Sequence, residues 1–286
     1  MPLSLEKLLP PRFRPDSPVV PVVRLQGTIG LTSPLRPGLT LGAVGRSLDR
    51  AFAVKRARAV ALAINSPGGS PTQSHLIFRR VRQLATEKNL PVIAFVEDVA
   101  ASGGYMIACA ADEIVCDIYS IAGSIGVVGG TFGFDRLLDR IGIERRLYTA
   151  GERKVMLDPF LPEKPEDVER IRAVQQDIHA HFIALVKERR GGRLVGDDAT
   201  LFSGEFWTAS KARDLGLVDG IGDLRGMLRA RFGDKVRMPV MNEKRGLLSR
   251  FAPRIGDAPV ASAVARLPDD LLSSLEERAL WSRYGI

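Results

Sequence analysis

Apolar positions along this 286-residue chain fall into two patterns. Short continuous runs predict strands buried on both faces. They are V-V-P-V-V-R-L-Q-G after the Pro-rich residues 10–21, A-V-A-L-A-I-N at 59–65, P-V-I-A-F-V at 91–96 and E-I-V-C at 113–116. Longer stretches with helical character separate them: the later part of 31–56, Thr72 to Lys88, Ser102 to Ala111 and Phe134 to Ile141. E-R-R-L-Y-T at 144–149 predicts one more strand. The clearest helix follows P-E-K-P-E-D, where Val168, Ile171, Val174, Ile178, Phe182, Leu185 and Val186 recur at spacings of three and four up to Gly191-Gly192. Repeated alternation of strand and helix predicts an α/β protein with a largely parallel sheet flanked by helices. From about Asn242 the pattern loosens around Pro253, Pro259 and Pro268. The amphipathic D-D-L-L-S-S-L-E-E-R-A-L-W near the end is expected to dock, on this chain or on a neighbouring subunit.

Composition narrows the picture. Hydrophobic residues at 45% and charged residues at 26% suit a globular protein with an aliphatic core. No run reaches the roughly 18 apolar residues of a membrane span. The first residues carry neither the apolar region nor the small-residue cleavage site of a signal peptide. Residues 1–17 are therefore read as an N-terminal arm and the location as cytoplasmic, with peripheral membrane contact through Leu3, Leu5, Leu8 and Leu9 or the basic surface as an option. The net charge of +8 is spread over small groups such as Arg79-Arg80 with Arg82, and no nucleic-acid motif accompanies it, so no specific nucleic-acid partner is expected. Cys109 and Cys116 match no disulfide framework or zinc spacing and read as buried free thiols.

Three glycine-bearing turns follow apolar runs: N-S-P-G-G at 65–69, A-S-G-G-Y at 101–105 and A-G-S-I-G at 122–126. Each is placed at a strand's C-terminal end, where α/β proteins bind ligands. Neither a P-loop nor a G-x-G-x-x-G spacing is present, which argues against a nucleotide site. Ser102 opens a predicted helix. The N–H of Gly103 and one from the Gly68-Gly69 turn are available there for a developing oxyanion, as acyl transfer requires. The base is less obvious. His75 is expected on a helix surface, and His179 and His181, two apart on one helix, face different ways. A triad with one of them competes with a second route, a lysine desolvated enough to act as a neutral amine. Lys154, in T-A-G-E-R-K-V-M-L-D-P-F, stands beside Val155, Met156 and Leu157, yet by itself it reads as a loop lysine.

V-A-A-S-G-G-Y with N-S-P-G-G upstream, then A-G-S-I-G-V and G-E-R-K-V-M-L-D-P-F, resembles the signal peptide peptidase A family, serine peptidases of family S49. S-G-E-F-W-T-A-S-K-A-R-D-L-G-L-V-D-G-I-G at 203–222 adds a fifth match. The resemblance covers about residues 18–240 and implies the Clp protease/crotonase-like fold of repeated β-β-α units. It leaves residues 241–286 as a partly helical C-terminal extension. It implies a Ser-Lys dyad: Ser102 as nucleophile, Lys154 as general base, Ser124 orienting the lysine amine, and the N–H groups of Gly69 and Gly103 as oxyanion hole. The roles of Lys154 and Ser124 rest on the resemblance alone. It further implies extended peptide substrates, signal-peptide remnants or other hydrophobic or unfolded peptides among them, ring-like homo-oligomers, and no metal or organic cofactor.

Two other classes compete. A crotonase-type acyl-CoA enzyme would share the fold and the oxyanion hole but would need carboxylates at the reacting carbon, and no such pair stands near the turns. A non-catalytic peptide-binding or scaffold member would not need the dyad.

Overall fold

The computed structural model describes residues 17–30, 38–151, 153–241 and 278–285. The expectations for most of the N-terminal arm and of the extension, including residues 269–277 of the amphipathic segment, lie outside these.

Strands β1 (Val22–Gln26), β2 (Val60–Ser66), β3 (Val92–Ala101), β4 (Glu113–Cys116) and β7 (Gly220–Ile221) form a parallel sheet in the order β1-β2-β3-β4-β7. The continuous apolar runs have a simple origin: both faces of the sheet are covered, so strand alternation points each residue into one of two cores. On β2, Val60, Leu62 and Ile64 enter the core shared with the helices, while Ala61 and Ala63 enter a second core with Val22, Phe95 and Leu228.

The helix side holds α1 (Leu41–Phe52), α2 (Pro71–Lys88) and α3 (Gly103–Ala108). Helix α2 starts on Ser70, whose Oγ accepts from the Gln73 N–H at 3.4 Å, with Pro71 next, and stops at Asn89 in the left-handed conformation. The other face is closed by α6 (Leu224–Phe232) and by residues 236–241, which hydrogen-bond along β1 through Val22 N–H to Pro239 O and Met241 N–H to Val22 O. This is the expected α/β layering.

On the side away from β2, strand β3 has two partners. Its first half pairs with β4 (Ile93↔Glu113 to Val96↔Cys116), and its end pairs with the short β5 (Ile121–Gly123), as Val99↔Ile121, Ala100↔Ala122 and Ala101↔Gly123. Strand β6 (Phe206–Thr208) then adds antiparallel to β5. The sheet therefore splits at the C-terminal end of β3, and the split creates the site.

One element differs from expectation. Residues 144–149 form no strand: no neighbouring backbone among the described residues pairs with them, and Tyr148 is 92% exposed. The helix α4 (Asp135–Ile141) is present but buries nothing. With Val128 at 70%, Phe132 at 77% and Ile141 at 56% exposure, residues 127–149 form an arm whose apolar side chains face outward. The long helix α5 (Pro165–Arg190) follows, and only Phe182, Val186 and Arg190 near its end are buried.

Candidate active site

The register of β3 and β5 places two serines side by side. Ala101 pairs with Gly123, and the ladder continues through Ser102 N–H to Gly123 O at 2.8 Å, so Ser102 and Ser124 occupy the next adjacent positions. Both leave the strands with φ in the left-handed region, +51° for Ser102 and +53° for Ser124. For a residue with a Cβ this costs about 1–3 kcal/mol and persists only where the surroundings impose it. Here they do. Ser102 is pinned by its N–H on Gly123 and by its C=O, which accepts the first helical bond of α3 from Met106 N–H at 3.0 Å. Ser124 N–H donates to Glu205 O at 2.7 Å, next to β6.

The Pro67-Gly68-Gly69 turn lies directly against this corner. A Cβ on Gly68, where φ is +101°, would stand 2.8 Å from Ser102 Cβ and 2.9 Å from Ala101 O, so no other residue lets the turn approach so closely. Ile29 braces the turn: Ile29 N–H donates to Gly68 O and Ser70 N–H donates to Ile29 O, each at 2.8 Å. That pairing leaves Gly69 N–H unused. Among the described residues neither Gly69 N–H nor Gly103 N–H has a protein acceptor. Two free backbone donors thus flank Ser102, the feature an oxyanion hole requires.

Ser102, Ser124 and Gly69 line a cavity of about 740 Å³ that also includes Gly126, His179 and, from the C-terminal end, Leu280, Arg283 and Tyr284. Lys154 is not among its walls. Its side chain is exposed, and its amine has no hydrogen bond among the described residues. In the single chain the structure therefore brings together Ser102, Ser124, Gly69 and Gly103 and leaves Lys154 apart.

Of two further contributors, His179 was named from sequence only as one possible triad base and Tyr284 was not singled out. His179 faces the cavity, and its Nε2 is 3.0 Å from Ile125 O, the tautomer in which Nε2–H donates to that carbonyl. The signal was a polar i, i+4 pair, Gln175 and His179, on one face of the helix. Tyr284 lies 8% exposed in a small cluster with Val99 and Ala101, edge-on to Phe206 at 5.1 Å. The amphipathic segment ending at Trp281 predicted docking, but nothing marked Tyr284 itself.

The two thiols lie outside this chemistry. Burial raises the Cys109 and Cys116 sulfhydryls to about 12, and both are free, as expected. Tyr105 in α3 is also buried, which raises its phenol well above the usual range, and it donates to Leu217 O at 2.6 Å. It anchors the helix that begins at Ser102. Among the described residues no group of histidine, cysteine and acidic side chains could hold a metal ion.

With this geometry in view, comparison with known proteins gives a family. The model of peptidase family S49 matches residues 85–231, a span that contains Ser102, Ser124 and Lys154. The chain belongs to peptidase family S49. Other relatives agree with that membership: the chloroplastic serine protease SPPA of Arabidopsis thaliana is 36% identical over 59% of this chain and 25% of its own length. A protein of Brucella abortus (strain 2308) named Na(+)/H(+) antiporter NhaA is 56% identical over 100% of this chain and 39% of its own length. The S49 chain thus spans about two fifths of the length of that relative. Among solved structures, the membrane-bound stomatin-specific protease 1510-N in complex with a substrate peptide matches at 18% identity and a TM-score of 0.46, covering 75% of this chain and 80% of that one.

Proposed function

We propose that this S49 chain is a serine endopeptidase that cleaves extended peptides with apolar character through a Ser102–Lys154 dyad. The observation that carries the proposal is Ser102 itself. It is held at positive φ at the end of β3, beside Ser124 and between the unused N–H groups of Gly69 and Gly103, at the wall of a cavity.

In this reading the Ser102 hydroxyl attacks the scissile carbonyl while the Lys154 amine takes its proton. The carbonyl oxygen gains charge between Gly69 N–H and Gly103 N–H. The lysine returns the proton to the leaving amine, and an ester to Ser102 remains. Water, activated by the same lysine, then hydrolyses the ester and restores the hydroxyl. Ser124, adjacent to Ser102, orients the amine.

Lysine amines act as bases only when withdrawn from water. The arm at 127–149 leads into Lys154 and has to be covered together with it for this to happen. Its outward side chains Val128, Phe132, Leu137 and Ile141 suit packing on a second copy in a homo-oligomer, which would place Lys154 against a catalytic cavity. No helix of the described residues is long and apolar enough to cross a membrane. The antiporter name belongs to Brucella proteins that extend well beyond the matched stretch.

The test is hydrolysis of internally quenched apolar peptides by the full chain and by Ser102→Ala. Turnover that falls at least a thousandfold in the variant supports the reading, and turnover that survives the substitution contradicts it.

A further inference from the structure

The catalytic cavity is occupied in part by the chain's own end. Residues 278–282 are helical and 283–285 turn, and this short segment reaches the cavity with Leu280, Arg283 and Tyr284. Tyr284 is the anchor. Its ring fills a hollow formed by Val99 and Ala101 of β3 and Phe206 of β6, with Ile121 and Trp281 packed around it. Its hydroxyl is 3.4 Å from Pro67 O, in the turn that carries Gly69, and 3.4 Å from Ser124 Oγ. A phenol has one proton, so donation to Pro67 O leaves its lone pairs to accept from Ser124.

That position matters because Ser124 is the group proposed to orient the lysine amine. Ser124 Oγ could donate to the phenol and still accept from an amine, so the conflict is one of space: Tyr284 fills the cavity side of Ser124 that the amine would have to reach. Lys154 is not among the cavity walls while Tyr284 is. The segment also covers the ends of β3 and β5, over which an extended peptide would have to lie.

We propose that residues 278–285 are a tethered occupant of the catalytic cavity, held by Tyr284, and that Lys154 and peptide enter only when the segment has left. This rests on the Ser102 reading for its functional meaning, but access to the cavity can be measured without it. In a full-length Ser102→Cys chain the new thiol reports access to iodoacetamide, whereas Cys109 and Cys116 are buried and protonated. The alkylation rate, followed by intact mass, is compared among Ser102→Cys alone, with Tyr284→Ala, and with Tyr284→Asp, which puts a charge against Val99 and Ala101. Release of the segment should raise the rate at least fivefold in both double variants. Rates within twofold of Ser102→Cys alone in both would overturn the proposal. The peptidase reading is tested separately with a fluorophosphonate on the Tyr284→Ala chain that retains Ser102. If the thiol becomes accessible but Ser102 never reacts, the docked segment stands and the peptidase reading fails.

Discussion

Replacing Asp219 by asparagine should cost this fold about 3 kcal/mol. Asp219 follows the G-L-V of 216–218 and meets Arg190 at the end of α5. The Arg190 side chain is 2% exposed; its two terminal nitrogens donate to the carboxylate at 2.8 and 2.9 Å and its Nε donates to Gly216 O at 2.9 Å. The carboxylate also accepts Ile114 N–H of β4 at 2.7 Å. One side chain thus ties together α5, β4 and the approach to β7. The neutral amide of Asp219→Asn would leave a buried guanidinium without its counter-ion, a loss of about 3–5 kcal/mol when a buried pair is broken from one side. Asp219 is itself 19% exposed, and water reaching it puts the cost at the lower end. At about 2–4 °C per kcal/mol for a chain of this size, Tm should fall by roughly 6–12 °C in calorimetry. The pH dependence carries a sign. Burial alone would raise the Asp219 carboxyl, but hydrogen bonds from Arg190 and Ile114 outweigh it and hold the group below its usual value. The stabilisation is therefore complete above the unfolded-chain value of about 3.9 and is lost as pH falls through the lower folded-state value. The Tm difference between the native and Asp219→Asn chains should be constant from neutral pH to about pH 5 and shrink only below about pH 4. A loss under about 1 kcal/mol at neutral pH, or a difference that grows with acidity, would refute the reasoning.

Other substitutions separate architecture from chemistry. Tyr105→Phe leaves Leu217 O without its buried donor and should cost about 1–3 kcal/mol in urea denaturation. Gly68→Ala forces a Cβ onto Ser102 and Ala101 at a positive φ, so kcat/KM should fall at least tenfold while circular dichroism stays native. His179→Leu removes the donor to Ile125 O beside Ser124, and a several-fold fall in kcat with little change in KM is expected from steady-state kinetics. Leu137→Asp with Ile141→Asp should turn an assembled species into monomers in sedimentation and remove turnover with it.

The parallel sheet was legible because a strand buried on both faces must be apolar throughout, and few other structures demand that of so many residues in a row. Residues 144–149 misled for the complementary reason. Leu147 and Tyr148 have the composition of a strand, but strands need a neighbour, and none among the described residues pairs with this segment. The Ser102 corner was readable as glycines clustered after apolar runs. Its partner was not, since Ser124 comes alongside only through the split of β3 between β4 and β5, a matter of register. Lys154 has no local pattern at all, and its role was suggested by family resemblance. Tyr284 lay beyond local reading too, because its hydroxyl meets residues 160 or more positions away.

The most direct test of the central claim is phosphonylation of Ser102 by a fluorophosphonate, with loss of fluoride, in this chain, followed by intact mass and peptide mapping between about pH 6 and 10. The account predicts one adduct, on Ser102, formed at a rate that rises with pH in the native chain and drops at least a hundredfold in Lys154→Ala. Labelling that stays at the native rate without Lys154, or falls on a different residue, would contradict it.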